Sequence, residues 1–237
     1  MARTVNQEEY TAKRNQILDA AQLLVLTKGY ERMTLQDIRS QLQISSGAFY
    51  HYFDSKQAVL DAFIERIQQE TEKPLLPILQ DPQLSAIQKL QGFFDTLDRL
   101  RMSHREDVVK LARVWYTDEN AVIRQKVDEA IVKQRAPLLN EIVRQGIGEG
   151  VFATAYPEQA GEIILSLLHG MGNTHARLLF SPEQDEIDVS TRVGRIVATH
   201  AAYMDAIEQV LGAPAHSLYR AEPEAVHGWL AAASGDA

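Results

Sequence analysis

At 237 residues, 45 % hydrophobic and 24 % charged, the chain has the size and composition of one or two compact domains, which excludes a fibrous repeat and a disordered segment. It contains no cysteine, so disulfide frameworks, thiolate metal sites and cysteine nucleophiles are excluded, and a reducing cytoplasm is the expected location. The net charge of −8 argues against a polyanionic partner, yet residues 1–67 balance eight basic against eight acidic side chains and residues 38–53 contain no acid at all. An acidic body with one neutral end can present that end to an anion.

The N-terminus runs into acids where a secretion signal needs an apolar core, and no apolar run approaches the ~20 residues of a membrane span, so a soluble protein with no membrane partner is expected. In chain order, Ile17, Ala20, Ala21, Leu24 and Val25 recur at three and four spacing and predict a helix over 8–28, closed by Gly29. Thr34 to Asp37 is a capping-box variant that opens a short helix to about Gln41. Ser45 or Ser46 opens another through Tyr52, and Asp54 with Ser55 caps a longer one that fades near Lys73, before Pro74 and Pro77. Asp81-Pro82 predicts the start of a helix to about Met102, with Leu90, Phe93, Phe94, Leu97 and Leu100 as its stripe. Helices are expected at 106–116, 120–145, 158–180 and 186–211, with Pro137 kinking or breaking the second of them. Beyond Gly212 the chain is expected to be loose at its end, with Trp229 and Leu230 able to dock one more turn. No period-two strand stands out. The fold class is therefore all-α: an N-terminal three-helix helix-turn-helix domain over 1–66 and a larger helical domain over 67–237.

Helices of two turns are marginal alone, so the pair between Met33 and Phe53 must pack on something. Leu35, Ile38, Leu42, Ile44, Phe49 and Phe53 supply the apolar side, facing the first helix. Left outside on the second short helix are Ser46, Gly47, Ala48, Tyr50 and His51: small residues at its N-terminus, where free N–H groups favour an anion, and polar aromatics further along. A helix of this kind meets DNA closely, and Thr34 and Lys56 on either side offer a hydroxyl and a cation to phosphates.

Gly29-Tyr30, Met33-Thr34-Leu35, Asp37-Ile38, Ile44-Ser45, Gly47, Phe49-Tyr50-His51-Tyr52-Phe53 and Ser55-Lys56 together resemble the N-terminal signature of TetR-family transcriptional regulators, over roughly residues 10–66. The resemblance implies a homodimer whose paired helix-turn-helix units read palindromic double-stranded DNA, as a repressor released by a small-molecule effector. By position it implies that Thr34, Tyr50, Tyr52 and Lys56 hold phosphates, while Gln36, Ser45, Ser46, Ala48 and His51 lie near bases, with Gln36 and His51 bonding to base edges. The chain departs from the pattern at Gln43, a turn position often filled by glycine, which must then adopt a left-handed conformation. Arg39 stands where a small residue commonly follows the isoleucine, and Asp54 places a negative charge near phosphate.

In the second domain, Gly146-Ile-Gly148-Glu-Gly150 lacks the preceding strand of a nucleotide loop and reads as a helix end and turn. His169 and His175 are six apart, poor spacing for two metal ligands on one helical face, so no metal and no cofactor are expected. No nucleophile, base and orienter fall together, so the chain is not expected to be an enzyme. Phe93, Phe94, Leu97, Met102 and Trp115 are candidates to line a cavity for a small apolar ligand, with His169 or Asn173 as its polar point and Arg113 and His104 suited to an anion. The candidate ligand residues are thus Phe94, Leu97, Trp115, His169 and Asn173. The last two long helices carry apolar surface (Ile164, Leu167, Leu168, Met171 and Leu178 on one; Val193, Ile196, Val197, His200, Met204, Ile207 and Leu211 on the other) suited to a two-fold four-helix interface. The alternative is a ligand-independent DNA-binding or adaptor protein of the same fold.

Overall fold

The computed structural model describes residues 7–103, 105–181 and 186–234, which form eleven α-helices and, among the described residues, no strand. His104 and residues 235–237 of the expected loose end lie outside them. The chain divides into two compact units, one of residues up to 69 together with 114–127, the other of residues 70–113 and 128–237.

The first unit opens with α1 (Gln7–Lys28), which buries Ile17, Leu18, Ala20, Ala21 and Val25. α2 (Leu35–Leu42) begins in a complete capping box: Thr34 Oγ1 accepts from the Asp37 N–H, and the Asp37 carboxylate accepts from the Thr34 N–H. It ends at Gln43, which stands in the left-handed region at φ 52° and ψ 40°, as the missing glycine required. The cost of that conformation, about 1 kcal/mol for a side-chain-bearing residue, is offset by hydrogen bonds from Gln43 N–H to Ser40 O and from Ile44 N–H to Arg39 O. Ser45 caps α3 (Ser46–Tyr50) by accepting from Ala48 N–H, and Ser55 caps α4 (Lys56–Glu72) by accepting from Ala58 N–H. Ile38, Phe49 and Phe53 are buried, as are Ile17, Leu18, Val59 and Leu60.

Residues 114–127, expected within the second domain, fold with this first unit. Asn120 is fully buried and bridges two stretches of backbone: its Oδ1 accepts from Tyr30 N–H at 2.9 Å and its Nδ2 donates to Val114 O at 3.1 Å. Gly29, at φ +81°, makes this docking possible, because a Cβ there would stand 2.7 Å from Glu119 Cβ. A lone buried asparagine has no periodicity, so nothing in the local sequence announces the contact.

In the second unit, α5 (Leu76–Leu79) precedes α6 (Ala86–Ser103). α6 starts four residues after the Asp81-Pro82 pair expected to open it, because Asp81 Oδ1 accepts from Gln83 N–H in a tight turn and Ser85 with Gln88 forms the capping box instead. α7 (Arg105–Trp115) and α8 (Ala121–Gly148) follow, apart from their residues 114–115 and 121–127, which belong to the first unit, and α8 runs through Pro137 without ending. α9 (Pro157–Phe180) approaches α8 closely at Gly161, where a Cβ would meet Ala136 O at 2.4 Å and where the N–H donates to Asn140 Oδ1. α10 (Val189–Leu211) is capped by Asp188, and α11 (Pro223–Ser234) is a full helix where a single turn was expected.

The apolar stripes of α9 and α10, expected to face a partner chain, are largely spent inside this one. Ile164, Met204, Ile207 and Leu211 lie in the main core with Leu90, Phe93 and Phe94, while Val226 and Leu230 of α11 pack on Ile196. Exposed apolar side chains on these helices include Ile163 and Val189.

Candidate nucleic-acid interface

α3 is only five residues long, so its position depends on the side chain it buries. Phe49 has no exposed surface and turns the opposite face outward: Ser45, Ser46, Gly47, Ala48, Tyr50 and His51 are all exposed. Gly47 has nothing within 4 Å of the place a Cβ would occupy, so the protein itself leaves that face open. Tyr50 keeps 49 % of its surface in water although it packs edge-on against Phe49. Polar aromatics held outward on a buried anchor are suited to contact another surface.

Thr34 and Gln36 are exposed beside this face at the start of α2. Thr34 commits its hydroxyl locally, accepting from Asp37 N–H and donating to Asp37 Oδ2 at 2.6 Å. Hydrogen bonds from Lys28 and Thr34 hold the Asp37 carboxyl at about 2, so this acid beside Thr34 is an ionised, paired group. Lys56 is half-buried: its ammonium lies 4.2 Å from the centre of the Tyr30 ring and donates to Glu31 O, and burial pushes its pKa below the usual lysine range. Tyr52 is half-buried as well. All ten residues expected at DNA therefore belong to the first unit, eight of them exposed and two partly covered. Tyr10 of α1 packs its ring on His51 and Tyr52, a contact with this group that sequence reasoning missed. Its contact joins the first turn of α1 to the end of α3, a distance in sequence that no local motif spans.

The five candidate ligand residues are dispersed. Trp115 lies in the first unit, the other four in the second. Phe94 is buried in the main core and Leu97 packs against it. His169 is exposed, with Nδ1 2.9 Å from Asp128 Oδ2 and Nε2 2.7 Å from Asn173 Nδ2, so both ring nitrogens have partners within this chain. Elsewhere in this unit, His175 and His200 stack with centroids 5.9 Å apart, and burial drives both to about 4. Tyr219 meets His200 edge-on, donates to Asp98 Oδ2 and is pushed by burial to about 12.

Residues 17–63 match the family model described as bacterial regulatory proteins, tetR family, and residues 102–190 match the model described as tetracyclin repressor-like, C-terminal domain. The chain is 26 % identical over 92 residues to the HTH-type transcriptional repressor DhaR of Mycobacterium sp. (strain GP1), spanning 37 % of this chain but less than half, 46 %, of that relative. It is 24 % identical over 149 residues to the HTH-type transcriptional repressor KstR2 of Mycobacterium tuberculosis, which covers 61 % of this chain and 71 % of that one. Among solved structures it is similar to the SmeT–triclosan complex, with a TM-score of 0.62 over 90 % of this chain and 97 % of that chain, at 17 % identity. A likeness at that identity shows the fold alone.

Proposed function

The chain belongs to the TetR family of bacterial regulatory proteins, and from that premise we propose that it is a sequence-specific DNA-binding transcriptional regulator, a dimeric repressor released from a palindromic operator by a small apolar effector. The observation that carries the reading is the outward face of α3, free of acids, open at Gly47 and anchored by the buried Phe49. In this reading Thr34, Tyr50, Tyr52 and Lys56 hold phosphates and so set register, while Gln36, Ser45, Ser46, Ala48 and His51 approach the bases. The second unit takes the effector and joins a second copy of the chain. SmeT, which shares the fold, was solved as a triclosan complex, in keeping with a small-molecule site in this architecture. The effector favours a form of the dimer whose recognition helices are wrongly spaced, and operator affinity falls by population shift. The place of action is the cytoplasm; no described helix is long and apolar enough to cross a membrane.

Selection of bound duplexes from a random DNA pool, followed by a salt titration of the winner, tests the proposal. A palindrome bound by two chains is expected, its log affinity falling with log salt by about 0.9 per phosphate neutralised. Failure to enrich any sequence at low salt, both before and after denaturing and refolding the protein to strip bound ligand, would overturn it.

A further inference from the structure

His51 stands at the end of α3, its backbone N–H bonded to Gly47 O at 3.2 Å, so the helix fixes where the residue is but not which way its ring points. An exposed imidazole has several staggered orientations open to it. Here the ring is hemmed on two sides. Tyr10, half-buried in the first turn of α1, meets it edge-on with centroids 5.6 Å apart and planes at 85°, and Tyr52 meets it at 5.1 Å and 80°. Tyr10 also lies against Tyr52 at 4.9 Å, closing a cluster of three rings. An edge-to-face contact of this kind biases the orientation of a ring by about two- to tenfold.

We propose that Tyr10 is a positioning residue for base reading: its ring holds the His51 imidazole in the orientation from which it meets a base edge, so that base preference at one operator position depends on a residue outside the helix-turn-helix. The proposal rests on the reading of His51 as a base contact. It assigns α1 a part in specificity beyond packing beneath the two short helices. The aromatic ring of Tyr10 supplies the effect, since no described hydrogen bond from its hydroxyl reaches His51, and phenylalanine at the same place therefore serves as well.

The test takes the full chain and its Tyr10→Phe, Tyr10→Ala, His51→Ala and Tyr10→Ala/His51→Ala variants through selection from a random duplex pool. Each is then titrated against the operator and its single-base variants, with the thermal midpoint of each protein recorded. His51→Ala is expected to reduce discrimination at one position of each half-site about tenfold. Tyr10→Ala is expected to reduce discrimination at that same position by about three- to tenfold, leave the other positions within about twofold, and add nothing there once His51 is alanine. Tyr10→Phe is expected to behave as the parent. The proposal falls if Tyr10→Ala weakens every sequence equally, if it lowers only the thermal midpoint, or if Tyr10→Phe loses discrimination as Tyr10→Ala does. Should His51→Ala alter no position, the reading of His51 falls and the proposal with it, an outcome distinct from the one in which His51→Ala flattens a position that Tyr10→Ala leaves sharp.

Discussion

In the first unit, Ser46 and Tyr50 stand exposed on a helix of five residues and His51 at its end, while in the second unit His200 and Glu208 are buried, at 8 % and 4 % exposure, among groups of their own chain. Glu208 accepts from the His216 and Leu218 N–H groups and from Arg220, so its charge is consumed in holding the loop between α10 and α11. The contrast separates two uses of polar side chains. Groups anchored from beneath and left in water can meet a macromolecule, because little has to be broken first. Groups bonded within a buried network, as Glu208 is, contribute to the fold, and removing one leaves its partners unsatisfied.

Acid should strike the second unit hardest. The neutral forms of His175 and His200 are favoured in the folded chain, both being held at about 4 against an ordinary 6.5, mainly by burial and with Arg101 facing both and Arg220 facing His200. The unfolded chain thus binds more protons between those values. Stability should be unaffected by these rings above pH 6.5 and be lost progressively from there down to pH 4, on the order of 3 kcal/mol for each ring. Urea midpoints measured across that range should show the decline, and His200→Phe should remove about half of it. A pH-independent midpoint between 6.5 and 4 would break this side of the comparison.

Asn120 is the exception that sharpens the contrast, a buried polar group of the first unit with the structural use seen in the second. Asn120→Ala leaves the Tyr30 N–H without its acceptor and should lower stability by about 2–3 kcal/mol in chemical denaturation. An effect below about 0.5 kcal/mol would mean that this bridge does not bind residues 114–127 to the first unit. The smallest effect is expected at Gly47, where the protein leaves open space. Gly47→Ala should keep stability unchanged or raise it by up to about 1 kcal/mol, since alanine is the better helix former. In the proposed reading the same methyl group should weaken operator binding about tenfold, because it would intrude between α3 and the DNA surface packed against it. Unchanged affinity would remove that face of α3 from the interface.

Much of the candidate interface was legible in the sequence because its determinants are local. Thr34 and Asp37, Ser45 and Ala48, and Gln43 at its turn each act over three or four residues, and each took the conformation its chemistry required. Boundaries slipped where two local signals competed, as when Ser85 with Gln88 prevailed over Asp81-Pro82. The stripes on α9 and α10 were legible as apolar but not as to what they face, since a period of 3.6 marks a buried side without naming its partner. α11 supplied part of that cover from the far end of the chain.

Sequence by itself determined the helical class, the capped pair of short helices and the acid-free outward face of α3, because each follows from residues a few positions apart. Only the tertiary structure decided that Asn120 bonds to Tyr30, that His175 stacks on His200 and that Tyr10 closes on His51. These contacts join residues 90, 25 and 41 positions apart, and such pairings are selected by how whole helices pack and bury their apolar faces, a collective outcome that no short pattern of residues encodes.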